Sequence, residues 1–84
     1  MPRYEIIYFT GCPLVDRARR ALREAGVAQF VETNQDKLAA GDARKDLSSP
    51  SLLVDGKLVA GSRGAASSCS IVDWDAVTRD LKAR

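Results

Sequence analysis

The stretch from Arg3 to Phe9 reads RYEIIYF, an apolar run rich in residues that favour extended structure. Such a run predicts a strand buried on both faces, in the middle of an α/β sheet. Thr10 and Gly11 end it. The period then changes. Leu14, Ala18, Ala21, Leu22 and Ala25 recur at helical spacing, and Asp16, Arg17, Arg19, Arg20, Arg23 and Glu24 fall on the other faces. Pro13 suits the first position of this helix, because its missing N–H would have no helical acceptor. Gly26 stops it. Arg19, Arg20 and Arg23 read as solvated positions without a role.

Val27 to Thr33, VAQFVET, predicts a second strand. Asn34 is placed to cap a helix over Gln35 to Leu47, with Leu38, Ala39, Ala43 and Leu47 as a weak apolar face broken by Gly41. Ser51 to Val54 and Lys57 to Ala60 read as two strands joined by Asp55-Gly56, the strongest short hairpin signal. Gly61 to Ser70 is a loop rich in Gly, Ser and Ala. Asp73 caps a last helix from Trp74 to about Ala83, with Trp74, Val77 and Leu81 facing inward. The predicted order is β-α-β-α-β-β-α in a single domain over residues 1–84, without internal repeats. The first two strands pair in parallel through a right-handed crossover, and the hairpin adds an antiparallel edge.

At 84 residues the chain supports one thin layer of helices on one sheet, and any site should be shallow. Hydrophobic residues make up 45% and charged residues 29%, which argues against disorder. A net charge of +2 gives no strong pull toward nucleic acid or an anionic membrane. No apolar run is long enough for a transmembrane helix, and the first residues lack the pattern of a secretory leader. The expectation is a cytoplasmic monomer. There is no histidine, which removes Ser-His-Asp triads, Cys-His dyads and His-based zinc sites. Glu32, Asp36 and Asp55 show no pairing for acid–base work. The serines Ser48, Ser49, Ser51, Ser62, Ser67, Ser68 and Ser70 read as loop and cap residues, and Trp74 and Phe30 as core.

Two cysteines remain, Cys12 and Cys69, too few for a disulfide scaffold. Cys12 is either a reactive thiol or a small buried hydrophobe. Its position points to the first. It lies between the end of a strand and the start of a helix, where open α/β sheets place their sites and where unpartnered backbone N–H groups stabilise a thiolate. The N–H groups of Leu14 and Val15 are the natural donors, with Arg17 one turn along. The thiol pKa should then fall below its unperturbed value of about 8.5.

These features resemble the glutaredoxins and the wider thioredoxin-like family. Those proteins open a helix with Cys-Pro-x-Cys, and the chain has Cys12-Pro13-Leu14-Val15. Ala18, Leu22, Gly26 and Val27 fall where the family carries similar residues. Residues 48–61, SSPSLLVDGKLVAG, look like the family's cis-proline segment and hairpin. Taken alone, Pro50 is either cis or a trans proline starting an edge strand; the resemblance implies cis. The likeness covers Tyr4 to about Gly61 and extends loosely to the last helix. It implies a thioredoxin-like fold with a central mixed sheet flanked by helices. It also implies thiol–disulfide exchange or deglutathionylation through Cys12, acting on a disulfide-containing protein or a small thiol. Gly11, Pro13, Leu14, Ser49, Pro50, Gly61 and Ser62 would line the substrate, and glutathione is the implied cofactor.

The departures are specific. Val15 stands at the second cysteine position, so no local dithiol forms. Leu14 replaces the usual aromatic, and Gly61-Ser62 replaces a Gly-Gly pair. Cys69 is either a resolving thiol for Cys12 or a loop cysteine without a role, since bridging requires Cα atoms within about 7 Å. Two other functions fit the same residues. One is a thiol module holding a soft metal or iron–sulfur cluster. The other is a non-catalytic thioredoxin-like interaction domain that uses the Pro50 surface or an edge strand.

Overall fold

The computed structural model describes residues 3–64 and 72–83. They form a small α/β domain with a four-stranded mixed sheet and two α-helices. The elements are β1 (Tyr4–Tyr8), α1 (Val15–Glu24), β2 (Val31–Asn34), β3 (Ser51–Val54), β4 (Lys57–Ala60) and α2 (Trp74–Lys82). The sheet order is β2-β1-β3-β4. β1 pairs in parallel with β2 and antiparallel with β3, and β3 pairs antiparallel with β4. The apolar run at the start of the chain therefore lies in the interior of the sheet, as its composition predicts.

Side-chain alternation gives the sheet two unlike faces. Ile6, Leu52 and Val54 pack against Ala18, Ala21 and Leu22 of α1 and Trp74 and Leu81 of α2. Phe30 and Val77 add partly buried apolar area to this core. The other face carries Ile7 and Leu53, covered by Leu47 and Leu58. Among the described residues, no helix is long and apolar enough to cross a membrane.

The expected helix over Gln35 to Leu47 does not form. Two short 3₁₀ turns, Gln35–Lys37 and Ala43–Asp46, stand in its place, so helices cover one face only. Asn34 does cap, but only the first turn, accepting the Asp36 N–H at 2.9 Å. Asp42 caps the second. The Asn34 and Asp42 side chains offer the backbone non-helical partners, Gly41 adds the entropic cost of ordering glycine, and the apolar face is too sparse to override them. The buried Gln35 amide does what a helical ladder would have done, donating to the carbonyls of Arg44 and Leu47 at 2.8 Å each.

Two other boundaries differ. β2 begins at Val31, not Val27, because Gly26 at φ +85° turns the chain at the end of α1. Helix α1 begins at Val15 with Leu14 as N-cap, and Pro13 precedes it in a turn. Arg19 is not merely solvated: it bridges Asp16 and, at 2.6 Å, Glu32, tying α1 to β2.

Glu5 is buried within β1, only 7% exposed. It accepts from Thr33 Oγ1 and pairs with Arg44 at 2.9 Å. Arg44 in turn pairs with Asp42 at 2.7 Å, and these bonds hold the Asp42 carboxyl down at about 2. A depressed folded-state pKa stabilises the fold above the usual value of 3.8 and ceases to do so as pH falls toward 2. Between those limits, the melting temperature of the natural chain should fall more steeply with acid than that of Asp42→Asn. Parallel melting curves for the two chains would place this pH dependence elsewhere.

Candidate functional site

β1 ends at Tyr8, and the chain turns through Phe9 to Cys12, closed by the Cys12 N–H on the Phe9 carbonyl at 3.2 Å. Gly11, the third residue of the turn, has φ +86°, a conformation that suits glycine. Side chains at the end of β2, in the 3₁₀ turn that follows it and just before β3 hold this turn. Toward β2, the Thr10 N–H donates to Asp36 at 3.0 Å and Thr10 Oγ1 accepts from Asn34 at 3.0 Å. The Thr10 N–H draws the Asp36 carboxyl below its usual range. Toward β3, the Phe9 N–H donates to Ser49 Oγ at 3.3 Å.

The sheet register extends this arrangement. Ile7 lies opposite Ser51, which brings Ser49 and Pro50 to the end of β1 where Gly11-Cys12-Pro13 emerges. The Ser49–Pro50 peptide bond is cis. Antiparallel pairing returns the end of β4, and so Gly61 and Ser62, to the same edge. Gly11, Cys12, Pro13, Leu14, Ser49, Pro50, Gly61 and Ser62 thus share one end of the sheet. Cys69 lies outside the described residues.

Their exposure differs. Gly11, Pro13 and Ser62 are exposed, and Leu14 and Gly61 are half-buried. Cys12 is only 5% exposed, and Ser49 and Pro50 are fully enclosed. Pro50 therefore offers no open surface for docking.

Ser48, and Ser51 at the start of the expected strand, read from sequence as loop and cap residues without a further role; both are buried hydrogen-bonding groups. Ser51 Oγ donates to the Ser48 carbonyl at 2.5 Å, and the two hydroxyls lie 3.2 Å apart. Ser48 also engages Ser62 on both backbone groups. Its N–H donates to the Ser62 carbonyl at 2.8 Å, and its Oγ accepts the Ser62 N–H at 3.0 Å. Gly61 passes directly over this pair at φ +108°, and a Cβ there would lie 2.1 Å from Ser51 Oγ. The missing side chain at Gly61 is needed for close packing.

These bonds bear on glutathione. Both backbone groups of Ser62 are engaged by Ser48, and Ser49 is enclosed, so of the residues that the resemblance assigns to the tripeptide these two present no free backbone, while Gly11 and Pro13 are exposed. Cys12 is the soft ligand of the described residues. Among them no group of three or more Cys, Asp, Glu or His side chains is gathered to hold a metal ion.

Sequence reasoning missed Asn34 and Asp36 as anchors of the Cys12 turn, and it missed Glu5 with Arg44. Glu5 carried a usable signal: an ionisable residue inside a strand buried on both faces must have a partner. No family model matches the chain, and neither does any curated protein or solved structure.

Proposed function

We propose that the chain is a glutaredoxin-like domain of thioredoxin-like fold that performs thiol–disulfide exchange through Cys12. One observation carries the reading. Cys12 stands between the end of an interior strand and the first turn of α1, held in a turn anchored from both sides. Carboxyl ends of strands are where open α/β sheets place their sites, and a helix N-terminus stabilises a thiolate. The strand order and the cis Ser49–Pro50 bond at the same end accord with it.

In this reading, the Cys12 thiolate attacks one sulfur of a substrate disulfide. That S–S bond breaks, a new one forms to Cys12, and the departing thiolate takes a proton from solvent. A second thiolate then attacks the mixed disulfide and releases Cys12. Val15 leaves no local thiol for this step, so it falls to Cys69 or to a low-molecular-weight thiol. Gly11 and Pro13, exposed on either side of Cys12, mark the way in.

The burial of Cys12 favours a second reading, a thioredoxin-like interaction domain without thiol chemistry. Alkylation rate against pH, with Cys12 and Cys69 resolved by mass, separates the two. Exchange chemistry predicts an apparent Cys12 pKa well below about 8.5. A Cys12 that stays inert, or titrates at or above that value, leaves the interaction domain as the function.

A further inference from the structure

The end of the sheet opposite Cys12 carries a feature that thiol chemistry does not use. The α1–β2 loop, the start of β1 and the end of α2 line an open groove of about 1040 Å³. Tyr4, Val27, Phe30 and Val31 supply its apolar wall. Val31 is 41% exposed, the one exposed large hydrophobic side chain among the described residues. Arg3 and Lys82 are the charged residues lining the groove, and both are exposed. No carboxylate among the described residues lines it.

Ligand sites are concave and mostly apolar, run to about 300–1,000 Å³, and use a few polar groups to fix orientation. We propose that this groove binds a fatty-acid anion, with its alkyl chain along Tyr4, Val27, Phe30 and Val31 and its carboxylate between Arg3 and Lys82. Charge complementarity selects this occupant. A second copy docked on the same groove would bury both cations of each copy in an interface whose lining, among the described residues, offers no carboxylate to pair with them. A peptide adding to the β2 edge would need that strand's backbone, yet only its first residue, Val31, reaches the groove.

The test is titration of the full chain with dodecanoate below its micelle concentration, followed by amide shifts in two-dimensional NMR. The expected result is a saturable shift at Tyr4, Val27, Phe30 and Val31, with the Cys12 turn unmoved. Dodecylammonium, with the same chain and opposite charge, should bind more weakly. The exposed pair Arg3→Glu and Lys82→Glu should weaken dodecanoate about tenfold and reverse that preference. Val31→Asp should weaken both amphiphiles. Equal binding of the two amphiphiles, shifts spread without saturation, or no shift would overturn the proposal. So would a slowly diffusing dimer on which dodecanoate has no effect, since the groove would then be an interface.

Discussion

Gly61→Ala should be the most damaging single-methyl change in the described fold, costing roughly 3–5 kcal/mol. Two penalties coincide there. The new Cβ would meet Ser51 Oγ at 2.1 Å and Ser51 Cβ at 2.8 Å, and Ser51 is fully buried at the start of β3. The backbone at φ +108° is also one that side chains rarely adopt. Rotation of Ser51 would clear only its Oγ, breaking the bond to the Ser48 carbonyl, and the contact with its Cβ would still force the backbone of Gly61 or β3 to shift. Small domains have only about 5–15 kcal/mol in total, so this one methyl group should remove a large share of the stability. Gly64→Ala is the matched control. Gly64 is also left-handed, at φ +72°, but nothing lies within 4 Å of a Cβ there, so only the backbone cost of about 1–2 kcal/mol applies. Urea midpoints for the two variants decide the matter. Equal losses would mean that contact with Ser51 contributes nothing.

Arg44→Met should cost about 2–3 kcal/mol, because it strands the Glu5 carboxylate inside the sheet with Thr33 as its remaining partner. The figure stays modest because the Arg44 side chain is 36% exposed and water screens part of its charge. Adding Glu5→Leu should recover most of the loss, since Glu5 shares its face with Ile7 and Leu53 and an apolar residue suits that environment. A denaturation double-mutant cycle measures the coupling. If the double variant is as unstable as the two single losses added together, the ion pair is incidental.

The elements legible in the sequence were those with a clear period or a strong punctuation mark. β1 stood out as an apolar run, α1 by its alanine and leucine spacing, and the β3–β4 hairpin by Asp55-Gly56. What stayed hidden depended on pairs far apart in the chain. Glu5 is one polar letter in an apolar word, and its partner Arg44 lies beyond β2. Serine-rich sequence reads as loop, and only the approach of Gly61 shows that Ser48 and Ser51 are enclosed. Gly61 itself drew a ligand-binding reading from the resemblance, whereas its neighbours show a packing demand. The helix over Gln35 to Leu47 failed for a local reason: caps at Asn34 and Asp42 compete well when few apolar contacts oppose them. For the site, the sequence placed Cys12 between strand and helix. It was silent on the side-chain anchors of the turn and on the depth of the thiol.

The place of β1 in the sheet has a consequence for how the protein is made. This interior strand is synthesised before either of its partners, while the segment that covers its second edge, β3, follows after β2 and both 3₁₀ turns. Until Leu52 and Leu53 arrive to pair with Ile6 and Glu5, that edge of β1 stays open, with Ile6 and Ile7 incompletely covered. An apolar strand with an unsatisfied edge invites pairing with other nascent chains. The Arg19–Glu32 bridge joins α1 to β2, both earlier in the chain than β3, and so can brace one side of β1 while the other waits.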